Sequence, residues 1–118
     1  PSTGLPTKTE QADLFQVYGA SQGEFPRLIV APKSIADAYD TTVEVFNLAD
    51  KYQLPVLLMS DLLLSEHPET VDPEVFNCEV KIDRGEVVSE WKEDQGKFKR
   101  FKFTPSGISP RALPGTPN

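Results

Sequence analysis

Two short apolar runs separated by a long helical pattern constrain this chain more than anything else in it. RLIVA (residues 27–31) lies between Pro26 and Pro32, and PVLLMS (residues 55–60) opens on a proline. Continuous apolar runs of this length suit strands buried on both faces. Between them Ser34 stands at a helix N-cap position with Asp37 three residues on. Ile35, Ala38, Tyr39, Phe46, Ala49 and Tyr52 then recur mostly at three- and four-residue spacing, the period of an amphipathic helix. Strand, helix of about 20 residues and strand predict a right-handed βαβ crossover, because parallel strands cannot be joined by a tight turn.

The rest of the chain divides around this unit. PSTGLPTKTEQ (residues 1–11) cannot be ordinary helix or central strand with Pro1, Gly4 and Pro6 in it. Thr7 followed by Glu10 matches a capping box, which predicts a helix from Lys8 to about Tyr18 with Ala12, Leu14, Phe15 and Tyr18 on its apolar side. Residues 62–76, with Pro68 and Pro73, read as loop or short helical turns. Residues 79–91 and 97–103 alternate apolar and charged side chains around DRGE and EDQG turn signals, which predicts a hairpin or small meander. Residues 104–118 hold four prolines and two glycines and read as extended loop. The organisation is a 1–61 loop–helix–βαβ core, a 62–103 insertion and a 104–118 loop. Two strands alone do not make a stable sheet, so the pattern reads as part of a larger α/β domain.

Composition narrows the function classes. A net charge of −6 over 118 residues disfavours nucleic acid as a partner, and no run reaches the length of about 20 apolar residues that spans a bilayer. The single cysteine, Cys78, excludes an internal disulfide and a cysteine-only metal site within this sequence, and favours a reduced, cytoplasmic setting. The sequence starts at Pro1, without an initiator Met, which reads as a processed start or as a piece of something longer.

The opening loop is the leading site candidate. It brings Ser2, Thr3, Thr7, Lys8 and Thr9 to a predicted helix start, where backbone N–H groups, hydroxyls and an ammonium welcome a carboxylate or phosphate. The plainer alternative is that Thr7 caps the helix and the rest is solvated loop. The glycines of a Walker A loop or a dinucleotide fingerprint are missing. Asp61 falls just past the second strand, where open α/β sheets bind ligands, or it caps a turn. His67, between Glu66 and Glu69, suits a metal ligand, a base or a surface turn, with no second His to complete a usual zinc set. Arg111 is free to meet an anionic ligand or a partner chain. The Lys97–Phe103 run of alternating cations and phenylalanines reads as an amphipathic strand solvated on one face.

PSTGLPTKTEQADL, LLMSDLLLSEHPETVDP and FKFTPSGISPRALPGTPN resemble, in order, three segments of the alpha subunit of 2-oxoacid:ferredoxin oxidoreductases, particularly the 2-oxoglutarate type. The resemblance covers essentially the whole chain. It implies a partial pyrimidine-type thiamine-diphosphate-binding domain of the α/β class, a parallel sheet with a βαβ core and a β-hairpin or meander insertion. It also implies oxidative decarboxylation of a 2-oxoacid to the acyl-coenzyme A, with electrons passed to ferredoxin. The beta subunit is the implied partner, carrying the diphosphate, its Mg2+ and a [4Fe–4S] cluster. Thr3 and Thr7 match threonines near the 2-oxoacid, with Ser2 and Lys8 as accessory candidates. The family's substrate arginine, its YPITP-like stretch and its activating glutamate have no match in this sequence, so residues 1–118 alone are expected to be inactive. The competing reading is a non-catalytic anion-binding or docking module related to that domain.

Overall fold

In the computed structural model, residues 4–76, 79–92, 94 and 96–117 are described. The expected crossover is present. Strand β1 (Leu28–Val30) leads into helix α2 (Ile35–Tyr52), and β2 (Val56–Leu58) returns parallel to β1 in the register Leu28↔Val56, Ile29↔Leu57, Val30↔Leu58. The helix starts where the sequence says it should. Ser34 Oγ accepts from Asp37 N at 3.1 Å, and the Asp37 carboxylate accepts in return from Lys33 N at 2.9 Å. Such a cap contributes about 1 kcal/mol to a helix. The helix ends at Gln53, which takes the left-handed conformation at φ 55°. Its side chain donates to Ser109 O and accepts from Arg100, holding the C-terminal part of the chain against the helix end.

Three sequence expectations require correction. The helix foreseen from Lys8 is short: α1 runs Leu14–Tyr18, behind Asp13. Thr7 has φ +60°, not the extended backbone an N-cap needs, and Glu10 Oε2 accepts from Leu5 N at 2.9 Å instead of reaching back to Thr7. The pair closes a loop, and does not start a helix. The foreseen hairpin is also absent among the described residues. β3 (Val87–Val88) pairs in parallel with β4 (Arg111–Ala112), contributed by the segment expected to be loop throughout. Residues 97–103 hold a bend at Lys97 and a turn at Arg100 and Phe101, not a strand. Finally, β1 and β2 are half-buried, with Leu58 exposed, rather than enclosed on both faces. α2 packs against β2, but Phe46 and Tyr52 lie off the packed face and are exposed.

The DRGE segment explains the missing hairpin, because its turn drapes the chain over α2. Asn47 Nδ2 donates to Lys81 O at 2.8 Å, and Asn47 Oδ1 accepts from Asp83 N at 2.9 Å. Lys51 Nζ meets Asp83 Oδ2 at 2.8 Å, and Gly85 at φ +65° lies directly against the Lys51 backbone. Arg111 then pairs with Asp50 at 2.8 Å, fixing β4 to the same helix. Two short helical pieces, α3 (Leu62–Glu66) and a 3-10 turn (Pro73–Val75), occupy the stretch expected to hold loops or helical turns. Phe76 packs edge-on to Tyr39 of α2 at 5.4 Å.

No described residue is fully buried. The accessible surface is 9544 Å², against about 6,400 Å² for a compact monomer of this mass. The radius of gyration is 19.0 Å, where a closed domain of this length has about 13.5 Å. Phe15 (85% exposed), Phe101 (83%) and Phe103 (100%) carry much of the apolar excess. No helix among the described residues is long and apolar enough to cross a membrane.

The clasp on α2 is open to test. A Cβ at Gly85 would stand 2.8 Å from Lys51 Cα at a backbone angle that side chains disfavour. Gly85→Ala is therefore expected to free residues 81–88, seen as faster amide exchange at Asp83. The Lys51–Asp83 hydrogen bond holds the lysine above and the carboxyl below their ordinary ranges, and Gly85 N further lowers the carboxyl. A raised lysine stabilises below its unfolded value and a lowered carboxyl above its own. The clasp is thus intact from about pH 4 to about pH 10 and weakens outside that window. Exchange protection at Asp83 should hold level from pH 7 to about pH 5 and fall as the pH drops below about 4.

Candidate functional site

The carboxyl ends of parallel strands are where a βαβ unit presents free backbone and loops to a ligand. β1 gives way there to Ala31 and Pro32, and β2 to Met59, Ser60 and Asp61. The opening loop lies over this edge. Glu10, Gln11 and Asp13 from the loop join Ser60, Asp61 and Met59 around a pocket of about 260 Å³. A neighbouring groove of about 330 Å³ is lined by Thr7, Lys8 and Thr9 on one side and by Leu63, Glu66 and His67 of the α3 region on the other.

The loop is shaped by its own sequence. Gly4 at φ +84° lets the chain turn beneath the Glu10 carboxylate, and Lys8 N closes a turn onto Leu5 O at 3.2 Å. Thr7 at φ +60° is unusual for a β-branched residue and costs about 1–2 kcal/mol of backbone strain. At the far end Arg27, which leads into β1, donates to Val17 O and Ala20 O and so pins the end of α1 to the strand.

Asp61 does two jobs. Its Oδ1 accepts from Leu64 N at 2.8 Å, capping α3, and its Oδ2 accepts from Gln11 Nε2 at 2.8 Å. These hydrogen bonds, that from Leu64 first, hold its carboxyl below the usual carboxylate range. The capping reading of Asp61 therefore stands, with a loop contact added that no spacing rule revealed. Gln11 was missed altogether, since its partner is fifty residues away.

Of the four residues singled out for substrate, Thr7 and Lys8 are exposed in the groove, and not at a helix start. Ser2 and Thr3 lie outside the described residues, as does Cys78. His67 ends α3, its backbone N donating to Leu63 O at 2.9 Å, and its side chain is exposed beside Thr7 and Lys8. Arg111 is engaged by Asp50 on the far side of α2 and does not line either pocket. Among the described residues no group of three His, Cys, Asp or Glu is placed to hold a metal ion. The acidic lining of the smaller pocket accepts hydrogen bonds from donors and repels a diphosphate.

Residues 1–112 match the family described as "Pyruvate flavodoxin/ferredoxin oxidoreductase, thiamine diP-bdg". The 2-oxoacid:ferredoxin oxidoreductase 1 subunit alpha of Sulfurisphaera tokodaii is 40% identical over 116 residues, covering 98% of this chain and 18% of that protein. The 2-oxoglutarate oxidoreductase subunit KorA of Mycobacterium tuberculosis is 52% identical over 61 residues, covering 52% and 9%. The 2-oxoglutarate synthase subunit KorA of Methanocaldococcus jannaschii is 39% identical over 100 residues, covering 85% and 25%. The chain thus spans about a fifth of the length of the curated relatives it matches.

Proposed function

The chain belongs to the pyruvate flavodoxin/ferredoxin oxidoreductase thiamine-diphosphate-binding family, and from that premise we propose that it forms the substrate-facing, pyrimidine-side segment of a 2-oxoacid:ferredoxin oxidoreductase alpha subunit. The parent enzyme converts a 2-oxoacid and coenzyme A to the acyl-coenzyme A and carbon dioxide, delivering two electrons to ferredoxin. A preference for 2-oxoglutarate is favoured by the relatives named for that acid. The beta subunit completes the site with the diphosphate, Mg2+ and a [4Fe–4S] cluster. Residues 1–118 form part of one domain whose exposed apolar surfaces are covered in the assembly.

The observation that carries this reading is the seating of the 4–13 loop at the carboxyl edge of a parallel pair, in a chain matching the family from its first residue. Thiamine diphosphate, when bound, supplies the electron sink for decarboxylation. Glu10 and Asp13 fit the amino-bearing end of its pyrimidine as hydrogen-bond acceptors, while nothing in that pocket suits its diphosphate. The part of this chain is to bind and orient the acid. The Thr7 hydroxyl donates to the substrate carboxylate, and Lys8 adds positive charge in the same groove. Thr3 and Ser2 supply further hydroxyls from the start of the loop. The strain at Thr7 fits this role, since strained backbone concentrates where a side chain must be aimed.

The test is 2-oxoacid-dependent viologen reduction by the native subunit assembly with coenzyme A and thiamine diphosphate. Thr7→Ala is expected to raise KM for the acid by about tenfold, and Thr7→Ser by less than about threefold, since only the serine keeps a donor. Thr7→Gly relieves the backbone angle yet should lose as much affinity as the alanine variant. Wild-type KM in both Thr7→Ala and Thr3→Ala would remove these residues from the substrate site.

A further inference from the structure

The long-range hydrogen bond between Gln11 and Asp61 takes no part in holding the substrate, yet it joins the proposed substrate loop to the strand edge beneath it. We infer that Gln11 is a positioning residue, latching the 4–13 loop to the N-terminus of α3 so that Thr7 and Lys8 face the substrate groove. The inference rests on the functional reading of that loop.

The geometry makes the latch directional. Asp61 Oδ1 is committed to Leu64 N, so Oδ2 is the oxygen that takes Gln11 Nε2, both at 2.8 Å. The loop's remaining described hydrogen bonds are local: Glu10 Oε2 with Leu5 N, Lys8 N with Leu5 O, and Asp13 O with Val17 N where α1 begins. They fix its internal shape without fixing its position. Arg27 anchors the chain only beyond it, at Val17 and Ala20. Gln11 lies between these two regions and four residues from Thr7, so releasing it lets the closed loop swing as a unit. An amide is the side chain the site demands. It donates to a carboxylate held ionised by Leu64 N, whereas a second carboxylate at residue 11 would face Asp61 with no donor between them. The other charged residues lining the pocket at this pair are Glu10 and Asp13, both acidic, so a carboxylate at residue 11 adds to an already acidic lining.

Exchanging the amide and the acid tests this. In the full assembly, Gln11→Glu is expected to raise KM for the 2-oxoacid by about tenfold with kcat within about threefold. Adding Asp61→Asn in the same chain should restore KM to within about threefold of wild type. The amide introduced at position 61 then donates to the carboxylate introduced at position 11, while its oxygen still accepts from Leu64 N. The hydrogen bond is thereby rebuilt with its direction reversed. Amide exchange of residues 5–12 is read in parallel, faster in Gln11→Glu and slowed again in the double variant. Unchanged exchange in Gln11→Glu, or a double variant no better than the single one, overturns the latch. Exchange that follows the prediction without any change in KM keeps the latch and refutes the substrate role of the loop. If the wild-type assembly shows no 2-oxoacid-dependent reduction, the functional reading fails while the exchange data still decide the latch.

Discussion

The parallel pairing of β1 with β2 is the constraint on which the rest of the structure depends. Parallel strands of three residues each gain little from their own ladder, and they require a long crossover to bring the chain back to the same edge. α2 supplies that crossover; its capped start at Ser34 follows the end of β1, and its left-handed end at Gln53 precedes the start of β2. The consequence is that both carboxyl ends open on one side. Pro32 and Asp61, far apart in sequence, become neighbours around one pocket, and the 4–13 loop has a ledge to rest on.

A second layer of polar contacts sets the other side of α2. Asn47, Asp50 and Lys51 bind the 81–88 and 111–112 segments through side-chain hydrogen bonds and ion pairs, in place of a sheet continued from β1 and β2. These groups are partly solvent-accessible, and such pairs order a chain more than they stabilise it. The absence of any fully buried described residue agrees with this. The apolar surface left over is large, and its cover belongs to the proposed assembly.

The βαβ unit was legible in the sequence because its signals are local and agree with each other: Pro-bounded apolar runs, Ser34 with Asp37, and a helical period between. The opening loop was legible as a loop but not in shape. Thr7 and Glu10 have capping-box spacing, but spacing does not record φ, and Gly4 offered Glu10 a closer donor in Leu5 N. The hairpin failed for a related reason. Alternation and a DRGE turn describe a chain that can pair with itself, whereas Asn47 and the Gly85–Lys51 contact decided where it lies. The role of Arg111 and the Gln11–Asp61 bond were out of reach of the sequence, because each depends on a partner brought close only by the fold. The family resemblance reached further than periodicity, since it rests on whole loops and the match extends over residues 1–112.

The central claim is that the 4–13 loop holds the carboxylate of a 2-oxoacid. The most direct measurement is an experimental structure of the native subunit assembly with a 2-oxoacid bound. The account predicts the carboxylate in the groove between the loop and α3, within hydrogen-bonding distance of Thr7 Oγ1, with Gln11 still on Asp61. A 2-oxoacid bound elsewhere, with Thr7 turned to solvent or buried against another subunit, would contradict it.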